Sequence, residues 1–324
     1  MNDLNHYWTH ILALKTACKS HEESFFIIGF SAEGFHFIDQ STWQRQYQND
    51  EPALYGFELL IASKSITISA YEQQEVFSDR LFLYFKKGLD GQLKSFLQLY
   101  VPLATSSLHH SNTPFVIAHM AQSLDGKVCT LSGTSKWIGN QQNLEHAHRI
   151  RALVDGVLVG GNTARSEKPS LNVRHVFGPN PARIILCSSS HELNGLPDIP
   201  EMRNYLLCRH ECVAKINLAE LKLNQVRTLG YSGKQADRGV ADALAKLACE
   251  NIHSILVEGG PTTIQAFLRS NALCWLQLHV APLVFGSGHS LVSLPEITEV
   301  NQAQALTNVI YTQMGDAIMV TGQL

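Results

Sequence analysis

The chain has 324 residues, of which 45% are hydrophobic and 16% charged, and its formal net charge is −3. At about 150 residues per domain, this length predicts two globular domains. The weak negative charge argues against non-specific binding to nucleic acid or to anionic membranes, because no overall positive charge attracts a polyanion. No window approaches the roughly 18 apolar residues of a membrane helix, and no secretory signal is visible, so we expect a cytoplasmic protein.

The seven cysteines are scattered and odd in number, which predicts reduced thiols rather than a disulfide framework. Cys208 and Cys212 flank His210, but no second pair of ligands follows at the spacing of a zinc site. His146 and His148 lie two residues apart, about 200° around a helix, and cannot converge on one ion. The sequence therefore predicts no metal site.

The N-terminal part of the chain carries a helix signal followed by β signals. Apolar residues at three- and four-residue spacing predict an amphipathic helix over Leu4–Cys18. The β-like runs are Phe25–Phe30 and Phe35–Asp39, joined as in a hairpin, and then Glu58–Ile61, Ser65–Ser69 and Leu81–Phe85. Together they predict a small α/β or α+β domain over residues 1–107, without a catalytic motif and of unknown function. The polar stretch Ala104–Thr113 is the predicted linker to a second domain, residues 113–324.

The second domain opens with an unambiguous order of strand, loop, helix and strand. An apolar strand is predicted over Phe115–Met120, a helix over Gln141–Val154, and a second strand over Val157–Val159, which Gly160-Gly161 ends. This order is a βαβ unit. It predicts a parallel sheet that binds its ligands at the carboxyl ends of the strands.

Strands and helices continue to alternate along the rest of the chain. Pro169 argues against a regular helix over Ala164–Arg174, and Pro282 suggests an edge or a bend in the β-patterned run Leu276–Phe285. The other predicted elements are strands at Arg183–Cys187, Tyr205–Cys208 and Thr228–Tyr231, a helix at Gly239–Glu250, a strand and helix within Ser254–Ser270, and β patterning at Val309–Val320.

Two glycine pairs follow predicted strands, and each precedes a predicted turn or helix. Gly259-Gly260 is followed by Pro261 at the expected first helical position, and Gly160-Gly161 is followed by Thr163, a candidate N-cap. A helix N-terminus with a glycine-rich entry is a natural anion site. Two such turns favour a dinucleotide or a phosphorylated substrate, although the P-loop and the three-glycine Rossmann fingerprint are both missing from the sequence.

Four residues near these turns have more than one interpretation. Glu258 ends an apolar strand at the edge where ligands bind, which makes it a functional candidate. Arg151 is either an arginine that extends from the core edge to solvent or a functional group. Asp125 is either a turn former or functional, and Trp137 belongs either to the core or to a stacking surface.

Six motifs in this part of the chain occur together in a fixed order. They are SLDGK at residues 123–127, TSKW at 134–137, H-x-x-R at 148–151, D-x-V-L-V-G-x-x-T at 155–163, P-x-L-x-x-R at 169–174 and VEGGPT at 257–262. This set resembles the reductase domain of bacterial riboflavin-biosynthesis RibD proteins and covers roughly Thr113 to Leu324. The resemblance implies an α/β fold of the dihydrofolate-reductase-like type, with a mixed, mostly parallel sheet flanked by helices.

The resemblance also implies an activity, an assembly and a set of site residues. The expected reaction is NADPH-dependent reduction of a ribosylamino-pyrimidine 5-phosphate to its ribityl form by a homodimer. The implied substrate positions are Ser135, Arg151, Leu171, Arg174 and Glu258. The implied cofactor positions are Ala121, Trp137, Thr163, Glu167, Ser188, Gly260, Pro261, Thr262 and Thr263. For the proton that accompanies hydride transfer, the candidates are Glu258, Asp125 and Lys127.

Two departures from the family pattern leave alternatives open. Residues 1–107 contain neither zinc-deaminase motif of the bifunctional relatives, so deamination is not predicted. Glu167 stands where an aspartate is more common, and Lys168 where a second acid is often found. A reductase of the same fold that acts on another pyrimidine or a pterin, or a non-catalytic nucleotide-binding regulatory protein, therefore remains an alternative.

Overall fold

The computed structural model describes residues 4–19, 27–39, 42, 57, 59–62, 71–76, 81–108, 113–187, 195–218, 221, 223–233 and 236–324. The chain divides into two compact units, Met1–His110 and Ser111–Leu324. The functional division into residues 1–107 and 113–324 stays a prediction. No helix of the described ranges combines the length and the apolar character needed to cross a bilayer.

The first unit is built on an antiparallel sheet. Its elements are α1 (Leu4–Lys19), β1 (Ile27–Ser31), β2 (Gly34–Ile38), β3 (Leu59–Ala62), β4 (Tyr71–Val76), β5 (Leu81–Lys86) and α2 (Gly91–Ala104). The strand order is β2-β1-β3-β5-β4, and every neighbouring pair is antiparallel. The predicted first helix and hairpin are confirmed, whereas α2 was not predicted. The predicted run Ser65–Ser69 lies outside the described residues.

The two helices of this unit pack against each other, and α2 begins with a clear local signal. Asp90 precedes α2 and accepts hydrogen bonds from the backbone N–H groups of Gln92 and Leu93, which is the role of an N-cap. The ring of Trp8 on α1 meets the ring of Tyr100 on α2 edge to face, with centroids 5.6 Å apart. With its helices at the two ends of an antiparallel sheet in chain order, the unit belongs to the α+β class.

The second unit alternates strands and helices before it ends in strands alone. Its elements are β6 (Phe115–Gln122), β7 (Lys127–Cys129), α3 (Gln141–Leu153), β8 (Gly156–Gly160), α4 (Gly161–Glu167), β9 (Ala182–Leu186), β10 (Asn204–Arg209), α5 (His210–Val213), β11 (Val226–Tyr231), α6 (Ala236–Cys249), β12 (Ser254–Val257), α7 (Pro261–Arg269), β13 (Trp275–Val280), β14 (His289–Ser290), β15 (Thr307–Met314) and β16 (Ala317–Gln323). A short 3₁₀ helix lies at Val300–Gln302 of this unit, and another, Ser106–Leu108, follows α2 in the first unit.

A nine-stranded sheet organises this unit, in the order β11-β10-β9-β8-β12-β6-β13-β16-β15. The strands from β11 to β13 are parallel, and β16 and β15 join as antiparallel strands. The expectation of a mixed, mostly parallel sheet is confirmed. The βαβ unit is also present, but its strands β6 and β8 are not neighbours, because β12 pairs with both of them and lies between them.

The two faces of this sheet carry different side chains because strand residues alternate in direction. Val116 and Ala118 of β6 belong to an apolar core with Leu244 of α6 and Phe267 of α7. His119 of β6 points to the other face, where its ring lies 5.2 Å from the ring of His146 on α3. Helix α3 therefore covers the face opposite to α6 and α7.

Two details around α4 were predicted, and the structure corrects the first of them. Thr163 is not an N-cap, because α4 already begins at Gly161 and the cap position is Gly160. No regular helix spans Ala164–Arg174, as Pro169 predicts: α4 ends at Glu167, with Lys168 in a left-handed conformation at φ 47°, and Pro169 follows.

The C-terminal strands differ from the prediction in a similar way. Strand β13 ends at Val280 and the chain bends at Pro282, so the predicted bend in the Leu276–Phe285 run is confirmed. The alternative of an edge strand is wrong, because β13 lies between β6 and β16. The predicted run Val309–Val320 is an antiparallel pair, β15 and β16, which turns at Gly315 with φ 66°.

Candidate active site

A cleft with a volume of about 1270 Å³ opens at the carboxyl ends of the parallel strands. Met120, Leu158, Leu186 and Leu207, which lie near the carboxyl ends of β6, β8, β9 and β10, contribute to its lining. Because all these strands run in the same direction, their last residues and the following loops meet at one edge of the sheet. The cleft is therefore the place where a parallel sheet of this kind binds a ligand.

The two glycine turns meet at the centre of this edge. A side chain on Gly160 would place its Cβ 2.5 Å from Thr263 Oγ1, and one on Gly260 would place its Cβ 3.1 Å from Thr163 Oγ1. Gly260 also has a φ of 54°, which disfavours other residues. Each turn thus leaves room for the threonine of the other, and the backbone there stays open to a ligand.

Helix α7 begins directly at the second turn and faces the cleft. Pro261 occupies its first turn, where a missing N–H costs nothing, and Thr262 and Thr263 line the cleft beside it. Within the described part of the chain, no side chain caps this N-terminus. Its partial positive charge and the glycine cradle fit the pyrophosphate of a dinucleotide.

Arg151 and Glu258 form a bidentate ion pair beside the turn. Arg151 Nε and Nη2 donate to Glu258 Oε1 and Oε2, both at 2.6 Å, and the side chains are only 11% and 13% exposed. Arg151 Nη1 also donates to the carbonyl of Asn172 at 3.0 Å and lies 3.3 Å from His148 Nε2. The interpretation of Arg151 as an arginine that extends into solvent is wrong, because its guanidinium is enclosed by protein acceptors.

The ionisation of this pair differs from that of the nearby Glu167. Burial lowers the pKa of Arg151, but the Glu258 carboxylate outweighs this effect and raises the pKa overall. Glu167 lines the cleft, and partial burial of its carboxyl group raises its pKa, with repulsion from Glu258 adding to the shift. The site thus contains one carboxylate held by an arginine and one carboxyl group that keeps its proton more readily.

Eight of the predicted site residues line the cleft, and seven other described ones do not. Those in the lining are Ser135, Thr163, Glu167, Glu258, Gly260, Pro261, Thr262 and Thr263. Those outside it are Ala121, Asp125, Lys127, Trp137, Arg151, Leu171 and Arg174. Ser188 lies outside the described residues. The structure brings the two glycine turns and the acidic residues together, while the roles of all these residues stay predictions.

Asp125 stabilises a turn and does not line the cleft. Its carboxylate accepts hydrogen bonds from Ser123 Oγ at 2.6 Å and from the N–H groups of Phe285 and Gly286 at 3.0 and 2.9 Å. The Ser123 hydroxyl, followed by the Phe285 N–H, lowers the pKa of Asp125 to about 2. Such a carboxylate is a poor proton donor near neutral pH. Lys127, the other candidate, donates from Nζ to Ser290 Oγ at 3.1 Å.

Arg174 lies close to the ion pair without sharing it. Its backbone N–H donates to His148 Nδ1, and its Nη1 donates to Asn172 Oδ1, both at 3.0 Å. Burial and the nearby Arg151 charge lower the pKa of Arg174. An anion bound there would relieve this repulsion, so the guanidinium of Arg174 is better suited to a phosphate than that of Arg151, which Glu258 already engages.

Two predicted positions have a left-handed backbone. Trp137 has a φ of 73° and is 90% exposed, so the interpretation as a core residue is wrong and the ring is accessible for stacking. Leu171 has a φ of 57° and is buried. Both conformations are uncommon for residues other than glycine, and such residues concentrate at functional sites.

Two groups of residues were not predicted as site residues from the sequence. Arg209 and Tyr231 line the cleft at the ends of β10 and β11, and the rule that ligands bind at carboxyl ends could have identified them. His119, His146 and His279 are buried on the face under α3, and burial is the first cause that lowers the pKa of each. In the described ranges, no three His, Cys, Asp or Glu side chains are arranged to hold a metal ion.

Comparison with known proteins identifies the second unit. The family model described as the RibD C-terminal domain matches residues 114–319. The 2,5-diamino-6-ribosylamino-4(3H)-pyrimidinone 5′-phosphate reductase of Aquifex aeolicus is 30% identical over 183 residues, which cover 53% of this chain and 79% of that protein. The riboflavin biosynthesis protein RibD of the same organism is 31% identical over 186 residues, covering 56% of this chain and 50% of its own length.

Solved structures of low identity show the same fold. The riboflavin biosynthesis reductase of Saccharomyces cerevisiae superposes with a TM-score of 0.53 at 23% identity and covers 72% of this chain and 99% of that one. RibD of Acinetobacter baumannii gives 0.52 at 20% identity, with 70% and 61% covered. The chain spans 39% of a chloroplastic PYRR protein of Arabidopsis thaliana, at 27% identity over 259 residues, and about half of its RibD relatives.

Proposed function

Because the chain belongs to the RibD C-terminal domain family, we propose that it is an NADPH-dependent reductase of the riboflavin-biosynthesis type. Its substrate is a ribosylamino-pyrimidine 5-phosphate, whose ribosyl group is reduced to ribityl. One observation supports this function above the others: Ser135, Glu167 and Glu258 line the same cleft as both glycine turns. A dinucleotide and a substrate can therefore meet beside two carboxyl groups.

The cofactor part of the proposal rests on the glycine turns and helix α7. NADPH supplies a hydride when it is bound. The N-terminus of α7, together with Gly260 and Thr163, offers backbone and hydroxyl donors for the pyrophosphate. Trp137 presents an exposed flat ring at the loop before α3, suited to stacking on a ring of the bound molecules.

The substrate part of the proposal assigns different tasks to the two arginines. Arg174 binds the 5-phosphate, since Asn172 is the one side-chain acceptor of its guanidinium within the described ranges, and the nearby Arg151 charge destabilises it. Arg151 holds the Glu258 carboxylate in one orientation through two parallel hydrogen bonds. Glu258 is thereby fixed at the edge of the cleft where the sugar C1 of the substrate is expected.

Reduction of the opened sugar needs one hydride at C1 and one proton at the attached nitrogen. Among the three predicted proton donors, Glu258 lines the cleft, whereas Asp125 and Lys127 do not. Asp125 is further disfavoured by its pKa of about 2. Glu167, whose pKa is raised, is a second carboxyl group able to supply the proton to Glu258 or to the substrate.

The proposal is tested with purified protein, NADPH and a panel of acceptors. Oxidation of NADPH is followed by its absorbance with the ribosylamino-pyrimidine phosphate, with its dephosphorylated form and with a pterin. We expect turnover that is fastest with the phosphorylated pyrimidine. Turnover only with the pterin would favour the other reductase, and tight NADPH binding without any turnover would favour a regulatory protein.

The assembly and location expected of such a reductase complete the proposal. We propose a homodimer in the cytoplasm, whose partners are small molecules rather than nucleic acid or membrane. Light scattering on the purified protein tests the dimer directly, and a monomer at micromolar concentration would contradict it.

A further inference from the structure

The charges that line the cleft are distributed unevenly. The described lining contains three carboxyl groups, on Glu167, Glu211 and Glu258, and Arg209 is its one arginine or lysine. Glu167 and Glu258 lie at the turn side of the cleft, where the hydride and proton transfers are proposed. Arg209 is instead the last residue of β10. A fixed full positive charge in the described lining is therefore found at one end of the cleft only.

The position of Arg209 follows from the strand order. Strand β10 is two strands from β8, whose end carries the first glycine turn, and adjacent strands are about 4.8 Å apart. The carboxyl end of β10 thus lies about 10 Å from the turn, measured across the sheet. The register Leu207–Leu186 between β10 and β9 places Arg209 beyond the end of β9, on the loop side of the sheet.

Among the described residues, no carboxylate forms a close ion pair with the guanidinium of Arg209. Its Nη1 lies 3.8 Å from Glu211 Oε1, beyond hydrogen-bonding distance, and the two side chains are 40% and 69% exposed. It also bonds the side chain of Tyr231: burial raises the pKa of this tyrosine, and the hydrogen bond with Arg209 opposes the shift. This contrasts with Arg151, whose donors are engaged at 2.6 Å.

NADPH and NADH share the pyrophosphate that is proposed to lie at the glycine turns. Only NADPH carries a further anionic group. The 2′-phosphate of NADPH lies on the adenosine ribose, away from the nicotinamide, and NADH lacks it. A helix N-terminus supplies about half a charge, whereas a doubly charged phosphate monoester is best matched by the planar fork of an arginine. We propose that Arg209 binds the 2′-phosphate and selects NADPH over NADH. This inference rests on the proposed function.

The experiment measures dissociation constants of the full-length protein for NADPH and NADH, and for 2′,5′-ADP and 5′-AMP as fragments. In Arg209→Ala, the dissociation constants of NADPH and 2′,5′-ADP should rise about 10- to 100-fold, as expected for loss of a charge-assisted contact. The constants of NADH and 5′-AMP should stay close to those of the wild type, which also shows that the variant is folded. Arg209→Lys should fall between the two.

Two further variants sharpen the test. Arg165→Ala is the matched control, since Arg165 on α4 is exposed, bonds Asn162 Oδ1 at 2.9 Å and does not line the cleft. Glu211→Gln removes the carboxylate closest to Arg209 and should tighten NADPH binding.

The outcomes separate this inference from the proposed function. If the wild type binds NADPH and NADH equally, or if Arg165→Ala rather than Arg209→Ala abolishes the preference, the role of Arg209 is overturned and the reductase function stands. If the wild type binds neither dinucleotide, the proposed function fails and this inference fails with it.

Discussion

Two polar clusters lie along helix α3, and they are satisfied in different ways. Near its C-terminus, Arg151 pairs with Glu258 at the cleft through two hydrogen bonds of 2.6 Å. Near its middle, His146 lies on the sheet face beside His119, and its Nε2 donates to Gln277 Oε1 at 2.9 Å. The first cluster keeps opposite charges, whereas burial lowers the pKa of both histidines and favours their neutral forms.

The difference between the two clusters shows where this fold retains charged side chains. A buried charge is retained at a high desolvation cost, and it persists only with a partner of good geometry. At the carboxyl edge of the sheet, charge is of use to a reaction, and Arg151 supplies the partner. On the covered face no ligand is expected, and the polar groups there remain uncharged. The substitutions below test two claims. The side chains at the carboxyl edge of the sheet are charged, and those on the face under α3 are neutral.

Removal of Arg151 should have the largest effect. Arg151→Ala leaves Glu258 as a largely buried carboxylate without a partner, and we expect a loss of about 3 to 5 kcal/mol in the free energy of unfolding. Chemical denaturation of the full chain measures it. The double variant Arg151→Ala/Glu258→Gln should recover part of this loss, since the remaining amide carries no charge. Equal stability of Arg151→Ala and the double variant would show that the unpaired Glu258 carboxylate is not the cause of the loss.

Removal of the Glu258 charge should act on the reaction in addition to destabilising the buried Arg151, which loses its counter-charge. Glu258→Gln keeps the shape of the side chain, and we expect turnover to fall by about 100-fold or more while the dissociation constant of NADPH stays close to that of the wild type. Asp125→Asn is the control, because Asp125 holds a turn outside the cleft lining, and it should retain most of the turnover. A smaller loss in Glu258→Gln than in Asp125→Asn would reverse the proposed assignment.

Removal of Arg174 should have a smaller effect, restricted to phosphorylated substrates. Arg174→Ala should weaken binding of the ribosylamino-pyrimidine phosphate by about 2 kcal/mol, the scale of a charge-assisted hydrogen bond, with little change for the dephosphorylated analogue. Isothermal titration with both compounds gives the comparison. Equal losses for the two compounds would exclude the phosphate as the group that Arg174 binds.

The histidine face should show the smallest effect, as a dependence of stability on pH. Burial first, and then the nearby His279, lower the pKa of His119 to about 3 from 6.5. A neutral histidine is therefore required for folding, so its contribution is complete above about pH 6.5 and is lost as the pH falls from there towards 3. The slope for one such histidine is at most about 1.4 kcal/mol per pH unit.

This dependence is tested by measuring denaturation midpoints between pH 7 and pH 4. This range covers most of the window between the ordinary pKa of His119 and its lowered pKa in the folded protein. His119→Gln removes one of the titrating groups and should reduce the slope by the share of one histidine, while His146 and His279, whose pKa values burial also lowers, retain theirs. His253→Gln, at an exposed position, is the matched control and should leave the profile unchanged. A profile that keeps its full slope in His119→Gln would show that the face under α3 accepts charge.

The sequence predicted the elements of the large sheet better than their arrangement. Strand and helix signals depend on local periodicity, so β6, α3, β8, β12 and α7 were found close to their true bounds. The insertion of β12 between β6 and β8 depends on long-range pairing, which periodicity does not encode. Helix α2 was missed in a stretch that contains Pro102, a residue uncommon inside a helix.

The site was predicted in part for the same reason. The glycine turns and Glu258 are visible in the sequence because each directly follows a strand. The Arg151–Glu258 pair joins residues 107 positions apart, and nothing local shows that one partner holds the other. The buried histidines are hidden as well, since the alternation that points His119 towards α3 becomes informative only after the position of α3 is known.

Transfer of an isotopic label tests the central claim most directly. The protein is given NADPH that carries deuterium at the transferred position of the nicotinamide, together with the ribosylamino-pyrimidine phosphate, and the product is analysed by NMR and mass spectrometry. We predict one deuterium at C1 of the ribityl chain, with the proton at the attached nitrogen drawn from solvent. Deuterium in the pyrimidine ring, or unreacted NADPH in the presence of bound substrate, would contradict the proposed reaction.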